Sequence, residues 1–271
     1  AAEPVKVGIK VVAPPSVDIE KADAAGNDAD TAADAVTLDP TATTQLKLTV
    51  KNNGGEPLKN VKVSDQVTVG SASVTGLTCT FPDGSTGTQW AGPLAVDASF
   101  GCTATLSALG SGAQHADDAT VDAVGTLSGT SVTDDDEYHG KTPAKVDVYL
   151  RKVGADASGS LTALDGSQWT LQRDANGAPG TTIAGGVQPV AGQTGEFEMA
   201  GLLPGTYWLT EASAPGGYVL LAQPISFTIA ADGTVTLGSG TGRSVTLGHT
   251  SDGDPEITVQ DAHALALPFA G

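Results

Sequence analysis

Two sets of three residues could do chemistry. Lys152 extends the face set by Val146, Val148 and Leu150; Glu211 extends Tyr207 and Leu209; Asp261 extends Ile257 and Val259. Strand side chains alternate with period two, so each polar head is expected at the end of an inward apolar face. Earlier in the chain, Lys21 follows Val17 and Ile19, Asp65 follows Val61 and Val63, and Asp117 sits on a late strand of the same segment. Buried lysines and carboxylates are rare unless paired. The plain expectation for each set is a buried ion pair. Burial also disfavours charged forms, and a neutral amine is a nucleophile.

The elements that must position these residues are strands. Short Val/Thr-rich runs recur at regular spacing, and no long amphipathic helical pattern interrupts them. The 271 residues suffice for two domains. Aromatics are only 4%, and 35 Gly with 15 Pro make the chain rich in turns. The expected class is all-β, with two tandem Ig-like β-sandwiches. A net charge of −18 argues against nucleic acid or anionic membrane as partners. No transmembrane stretch or signal peptide is read, and the opening AAEP suits a processed N-terminus. No G-x-S-x-G, H-E-x-x-H or phosphate-loop pattern occurs, so a turnover enzyme is not expected. The four histidines, His115, His139, His249 and His263, fall in polar stretches and are read as solvated loop residues.

The central stretch GEFEMAGLLPGTYWLTEASAPGGY, residues 195–218, carries the most specific signal. It resembles the prealbumin-like CnaB domains of Gram-positive surface proteins and pilins, in which an LLPGTY turn leads into a strand ending T-E-x-x-A-P-x-G-Y. The resemblance spans residues 145–271. It implies a spontaneous Lys152–Asp261 isopeptide bond between first and last strands, with Glu211 as the assisting acid. Residues 17–140 are similar to Ig-like repeat domains of large actinobacterial-type surface proteins, through KNNGG, LKNVKVSD, the two cysteine strands and DDATV. That similarity, with the shared inward parity, implies a Lys21–Asp117 bond assisted by Asp65. The family's asparagine is Asp117 here, and a neutral carboxylic acid can also lose water to an amine.

The expected organisation is an N-terminal strand and Pro linker over 1–16, one sandwich over 17–140, a CnaB-type sandwich over 141–266, and a terminal segment 267–271. In the first, Val5, Val7, Ile9 and Val11 share a face. In the last, Leu267, Pro268, Phe269, Ala270 and Gly271 look like a sortase sorting motif with Ala270 in place of Thr. Cys79 and Cys102 each follow an inward apolar position, Leu77 and Phe100. An extracellular site permits their disulfide, and two buried thiols are the alternative if the strands are not adjacent. No cofactor is expected. The acids Asp28 and Asp30 in one loop, and Asp134 and Asp136 in another, are the residues that could hold Ca²⁺. Their spacing fits no EF-hand loop, and a solvated acidic surface is the preferred reading.

The resemblances imply an extracellular, cell-wall-anchored stalk, adhesin or accessory pilin. Its partners would be sortase and cell wall or pilin subunits, with a host matrix protein or glycan as ligand. The two ends are expected at opposite poles of an elongated molecule. The alternative is a carbohydrate- or protein-binding module of a larger secreted enzyme. Ligand contacts are expected on loops, and 174–194 and 238–254 are the longest candidates.

Overall fold

The computed structural model describes residues 13–155, 159–239 and 244–264. The expected strand at Val5–Val11 and the sorting-like residues Leu267–Gly271 lie outside the described residues. The chain divides into two units, Ala1–Thr142 and Pro143–Gly271. Every described element is a strand, as the alternating Val/Thr runs require.

The first unit contains β1 (Asp18–Asp23), β2 (Val36–Thr37), β3 (Thr44–Lys51), β4 (Leu58–Val69), β5 (Val74–Thr80), β6 (Thr86–Gly87), β7 (Gln89–Trp90), β8 (Ser99–Leu106), β9 (Gln114–Gly125) and β10 (Ser131–Lys141). They form two five-stranded sheets, in the orders β1-β3-β8-β5-β6 and β2-β10-β9-β4-β7. The inner faces share one core that includes Leu46, Leu48, Val50, Phe100, Val121 and Tyr138. Cys79 and Cys102 face each other in register across β5 and β8 and form a disulfide inside this core.

The second unit contains β11 (Val146–Ala155), β12 (Leu161–Ala163), β13 (Gln168–Asp174), β14 (Pro179–Ile183), β15 (Gln188–Pro189), β16 (Glu196–Leu202), β17 (Gly205–Ser213), β18 (Ile225–Ile229), β19 (Val235–Leu237), β20 (Val245–His249) and β21 (Pro255–Asp261). One sheet runs β15-β16-β11-β21-β20 with β12 beside β11, and the other runs β14-β13-β17-β18-β19. Tyr207, Leu209, Phe227, Met199 and Ile257 fill the space between them. The LLPG corner is fixed by the Tyr207 hydroxyl, which donates to the Leu203 carbonyl at 2.7 Å.

Four expectations are corrected here. The stretch 174–194 is not simply a loop, because it contains β14 and β15; likewise 238–254 contains β20. Their backbones are captured by the neighbouring strands β13, β16 and β21, which outweighs their Gly-rich composition. Asp134 and Asp136 lie within β10 rather than in a loop. Finally, the histidines are not all solvated loop residues: His115 lies in β9 and is 2% exposed, while His139 and His249 lie in β10 and β20.

Candidate functional site

The second unit places Lys152 on β11 and Asp261 on β21. These two strands are parallel neighbours, with Gly154 opposite Asp261. Two backbone bonds hold Lys152, from residues that flank β16 and β12: its N–H donates to the Gly195 carbonyl at 2.7 Å, and its own carbonyl accepts from Leu164 at 3.0 Å. Gly195 has φ +67°, and a side chain there would start 2.8 Å from the Lys152 carbonyl oxygen. That position therefore needs glycine. Glu211 reaches the same point from β17 in the facing sheet.

The three heads meet in the core. Lys152 Nζ lies 2.8 Å from Glu211 Oε1 and makes a short hydrogen bond to Asp261 Oδ1. Lys152, Glu211 and Asp261 are 0%, 4% and 3% exposed. The backbone N–H of Leu221 donates to Glu211 Oε2 at 2.8 Å, fixing the acid from the far side. Trp169 covers the amine, with Nζ 5.2 Å from the ring centroid. Tyr218 lies over Gly154, where any side chain would start 2.4 Å from the ring, and stacks on His263 at 4.4 Å between centroids. The sequence reading did not single out Trp169 or Tyr218. Trp169 is the second residue of β13, directly opposite Glu211 on β17, a register that only the fold supplies.

The first unit gathers Lys21, Asp65 and Asp117. Lys21 Nζ lies 2.9 Å from Asp65 Oδ1 and 2.6 Å from Asp117 Oδ2, with all three side chains closed to solvent. Lys21 comes from β1 in one sheet, and both acids come from the neighbouring strands β4 and β9 of the other. Burial raises the Asp65 carboxyl above its ordinary range, with Asp117 adding to the shift against Lys21. Burial also acts on Asp117, but the His115 imidazole and the Lys21 ammonium outweigh it and hold that carboxyl below its ordinary range. The two carboxyls are thus pushed in opposite directions, Asp65 up and Asp117 down.

In the first unit His115, read from the sequence as a solvated loop residue, belongs to the site. Its Nε2 lies 3.2 Å from Asp117 Oδ1, inside the core. The signal was present: His115 stands two residues before Asp117 and so shares its face.

The acids of β10 serve as hydrogen-bond acceptors for the backbone of β1. Asp134 Oδ2 accepts the Ile19 N–H at 2.9 Å, and Asp136 Oδ2 accepts the Lys21 N–H at 2.5 Å. These carboxylates occupy the free edge of β1, where unpaired N–H groups would otherwise be open. Glu20, Asp28 and Asp136 bring carboxylate oxygens within 4.8 Å of one another, whereas Asp30 and Asp134 are outside that group. Among the described residues no helix is long and apolar enough to cross a membrane.

Each sandwich thus brings one lysine and two acids together in its core. Residues 147–241 match the family model described as SpaA, prealbumin-like fold domain, so the second unit is a prealbumin-like domain of that type. Among solved structures, BcpA, the major pilin subunit of Bacillus cereus, is 14% identical over 93% of this chain and 71% of its own, with a TM-score of 0.50. A 35 kDa C-terminal fragment of the major pilin GBS80 of Streptococcus agalactiae is 15% identical over 92% of this chain and 100% of its own, with a TM-score of 0.43. The pilus backbone protein RrgB of Streptococcus pneumoniae is 13% identical over 90% and 99%, with a TM-score of 0.42. At 14% identity the likeness to BcpA is one of fold. No curated protein sequence matches the chain.

Proposed function

We propose that the chain is a load-bearing subunit of a Gram-positive cell surface, either an accessory pilin or an adhesin stalk, whose two sandwiches lock themselves with Lys–Asp isopeptide bonds. Residues 267–271 would serve sortase as the attachment signal, and wall or pilus subunits would be the partners. The only chemistry proposed is self-directed.

The observation that carries this reading is the closed Lys152 amine. It is 0% exposed and pressed against Asp261 on a neighbouring strand, with Glu211 in contact with the same amine. In the reaction Lys152 Nζ attacks Cγ of Asp261, and a C–N bond replaces a C–O bond. Two protons leave the nitrogen and two arrive on the departing oxygen, which leaves as water. Glu211, in contact with the amine and held by the Leu221 N–H, is placed to carry them. Folding supplies the orientation that free amine and acid lack in solution.

Intact mass tests it. Each bond makes the chain one water lighter, and Glu211→Ala should restore one water. A wild-type chain at full calculated mass, after allowing for the disulfide hydrogens, would reduce the triples to buried ion pairs.

A further inference from the structure

We propose that His115 is the oxyanion donor of the first domain's reaction, its Nε2–H meeting Asp117 Oδ1 as negative charge builds on that oxygen. The inference rests on reading Lys21 and Asp117 as a bond-forming pair.

The geometry divides the two oxygens of Asp117 between two partners. Oδ2 lies 2.6 Å from the Lys21 amine, and Oδ1 lies 3.2 Å from His115 Nε2. The oxygen beside the amine is the one that can collect its protons. Lys21 Nζ passes one proton to Oδ2, and the neutral amine attacks Cγ. The C–N bond forms, and the π pair of the remaining C=O moves onto Oδ1. The nitrogen gives up a second proton to Asp65, 2.9 Å away, as Asp65 gives its own proton to Oδ2. The C–Oδ2 bond breaks, water leaves, and the pair on Oδ1 restores the carbonyl. Nitrogen has lost two protons, Oδ2 has gained two, and Asp65 and His115 end as they began.

Through this sequence only Oδ1 carries a negative charge without a proton source of its own. A preorganised donor aimed at such an atom in a dry site is the most effective help a protein can give. His115 is fully inside, on the same face of β9 as Asp117. Among the described residues neither ring nitrogen, nor Asp117 Oδ1, has an aligned hydrogen-bond partner. A buried imidazole so placed is costly unless it is used. Resting contacts of this kind are commonly misaligned and tighten only as the reaction proceeds. A cavity of about 120 Å³ lies beside it, lined by Ala32, Ala35, Val69, His115, His139 and Lys141. That volume holds a water molecule, whose share of liquid is roughly 30 Å³, and gives the product somewhere to go.

The test follows the full chain as it is diluted out of denaturant in its unlinked form. Loss of water is timed by mass, and the Lys21–Asp117 peptide is quantified by mapping. His115→Phe should slow that link by about 100-fold while the Lys152–Asp261 link forms at its usual rate. His115→Gln, which keeps a donor, should recover part of the loss. In the linked wild type, NMR should show a slowly exchanging His115 Nε2–H, a readout that needs no variant to fold. Linking of His115→Phe at the wild-type rate, or a His115 protonated only at Nδ1, would overturn the inference while leaving the bond itself intact. A wild-type chain that never yields the Lys21–Asp117 peptide would instead overturn the reading on which the inference rests.

Discussion

The two sites use the same residue types in opposite topologies. In the second domain the lysine and its aspartate stand on adjacent parallel strands of one sheet, and the glutamate reaches across from the other. In the first domain the lysine reaches across, and both acids stand on adjacent strands of the facing sheet. Facing sheets lie about 10 Å apart. In each domain a long side chain spans that gap. Glu211 reaches in from the facing sheet, whereas Asp65, one methylene shorter, reaches in from the strand next to Asp117. Arm length follows topology, and what the two sites share is a meeting point of three heads.

That comparison can be broken by exchanging arms. Glu211→Asp leaves the charge and shortens the reach. It should leave the second domain unlinked, with one water restored, while the first domain still links. The lost link closes a loop of 109 residues. By analogy with a disulfide its loss should cost about 4–5 kcal/mol through the unfolded state. Intact mass and thermal melting check both halves. An unchanged mass for Glu211→Asp would show that reach does not decide the assisting acid.

A mechanical difference should follow. Asp261 ends the last described strand in chain order, and Lys152 lies near the start of its unit, so only the 9 residues 143–151 lie outside the linked loop on the N-terminal side. Asp117 precedes β10, so the first domain keeps 141 − 117 = 24 residues beyond its link. Pulled in single-molecule experiments from residues 16 and 142, the first domain should release β10 and part of β9 as a step of about 80 Å, at ~3.3–3.6 Å per residue. The second, pulled from residues 143 and 264, should give no step longer than about 30 Å. Equal steps in the two domains would contradict the assigned link positions.

Much of the site was readable because alternation is strict. Tyr207, Leu209 and Glu211 are all buried, as are Val148, Leu150 and Lys152, and Ile257, Val259 and Asp261, so period two alone brought three heads inward. What period two does not contain is strand order. Nothing in the spacing says that β1 and β9 belong to different sheets, or that β11 and β21 run parallel. Composition misled in two places. The acids Asp134 and Asp136 read as loop, yet they pair within β10 and accept the edge N–H groups of Ile19 and Lys21. The polar run Gln114–Asp118 hid a buried histidine, since its inward members, His115 and Asp117, are as polar as its outward ones.

The smallest expected effect lies at that edge. Burial, with Asp30, Glu20 and Asp28 nearby, pushes the Asp136 carboxyl up to about 7 against the opposing Lys21 N–H. The unfolded carboxyl titrates near 3.8. Between those values the folded state holds the extra proton, so this group's contribution is complete below the unfolded value and is lost as pH rises through 7. Asp117 has the opposite sign: held low, it favours the fold above its ordinary value and loses that contribution in acid. The two act in different windows, but Asp65, Glu20 and Asp28 are also raised, so it is the variant and not the pH range that isolates Asp136. The first domain's melting temperature should fall modestly from pH 5 to 8, by less than a fully buried group would give, because Asp136 is partly open to water. Asp136→Asn keeps an oxygen for the Lys21 N–H and removes the charge, and should flatten the slope. A slope unchanged in that variant would move the titration elsewhere in the Glu20–Asp28 cluster and leave Asp136 as a simple edge cap.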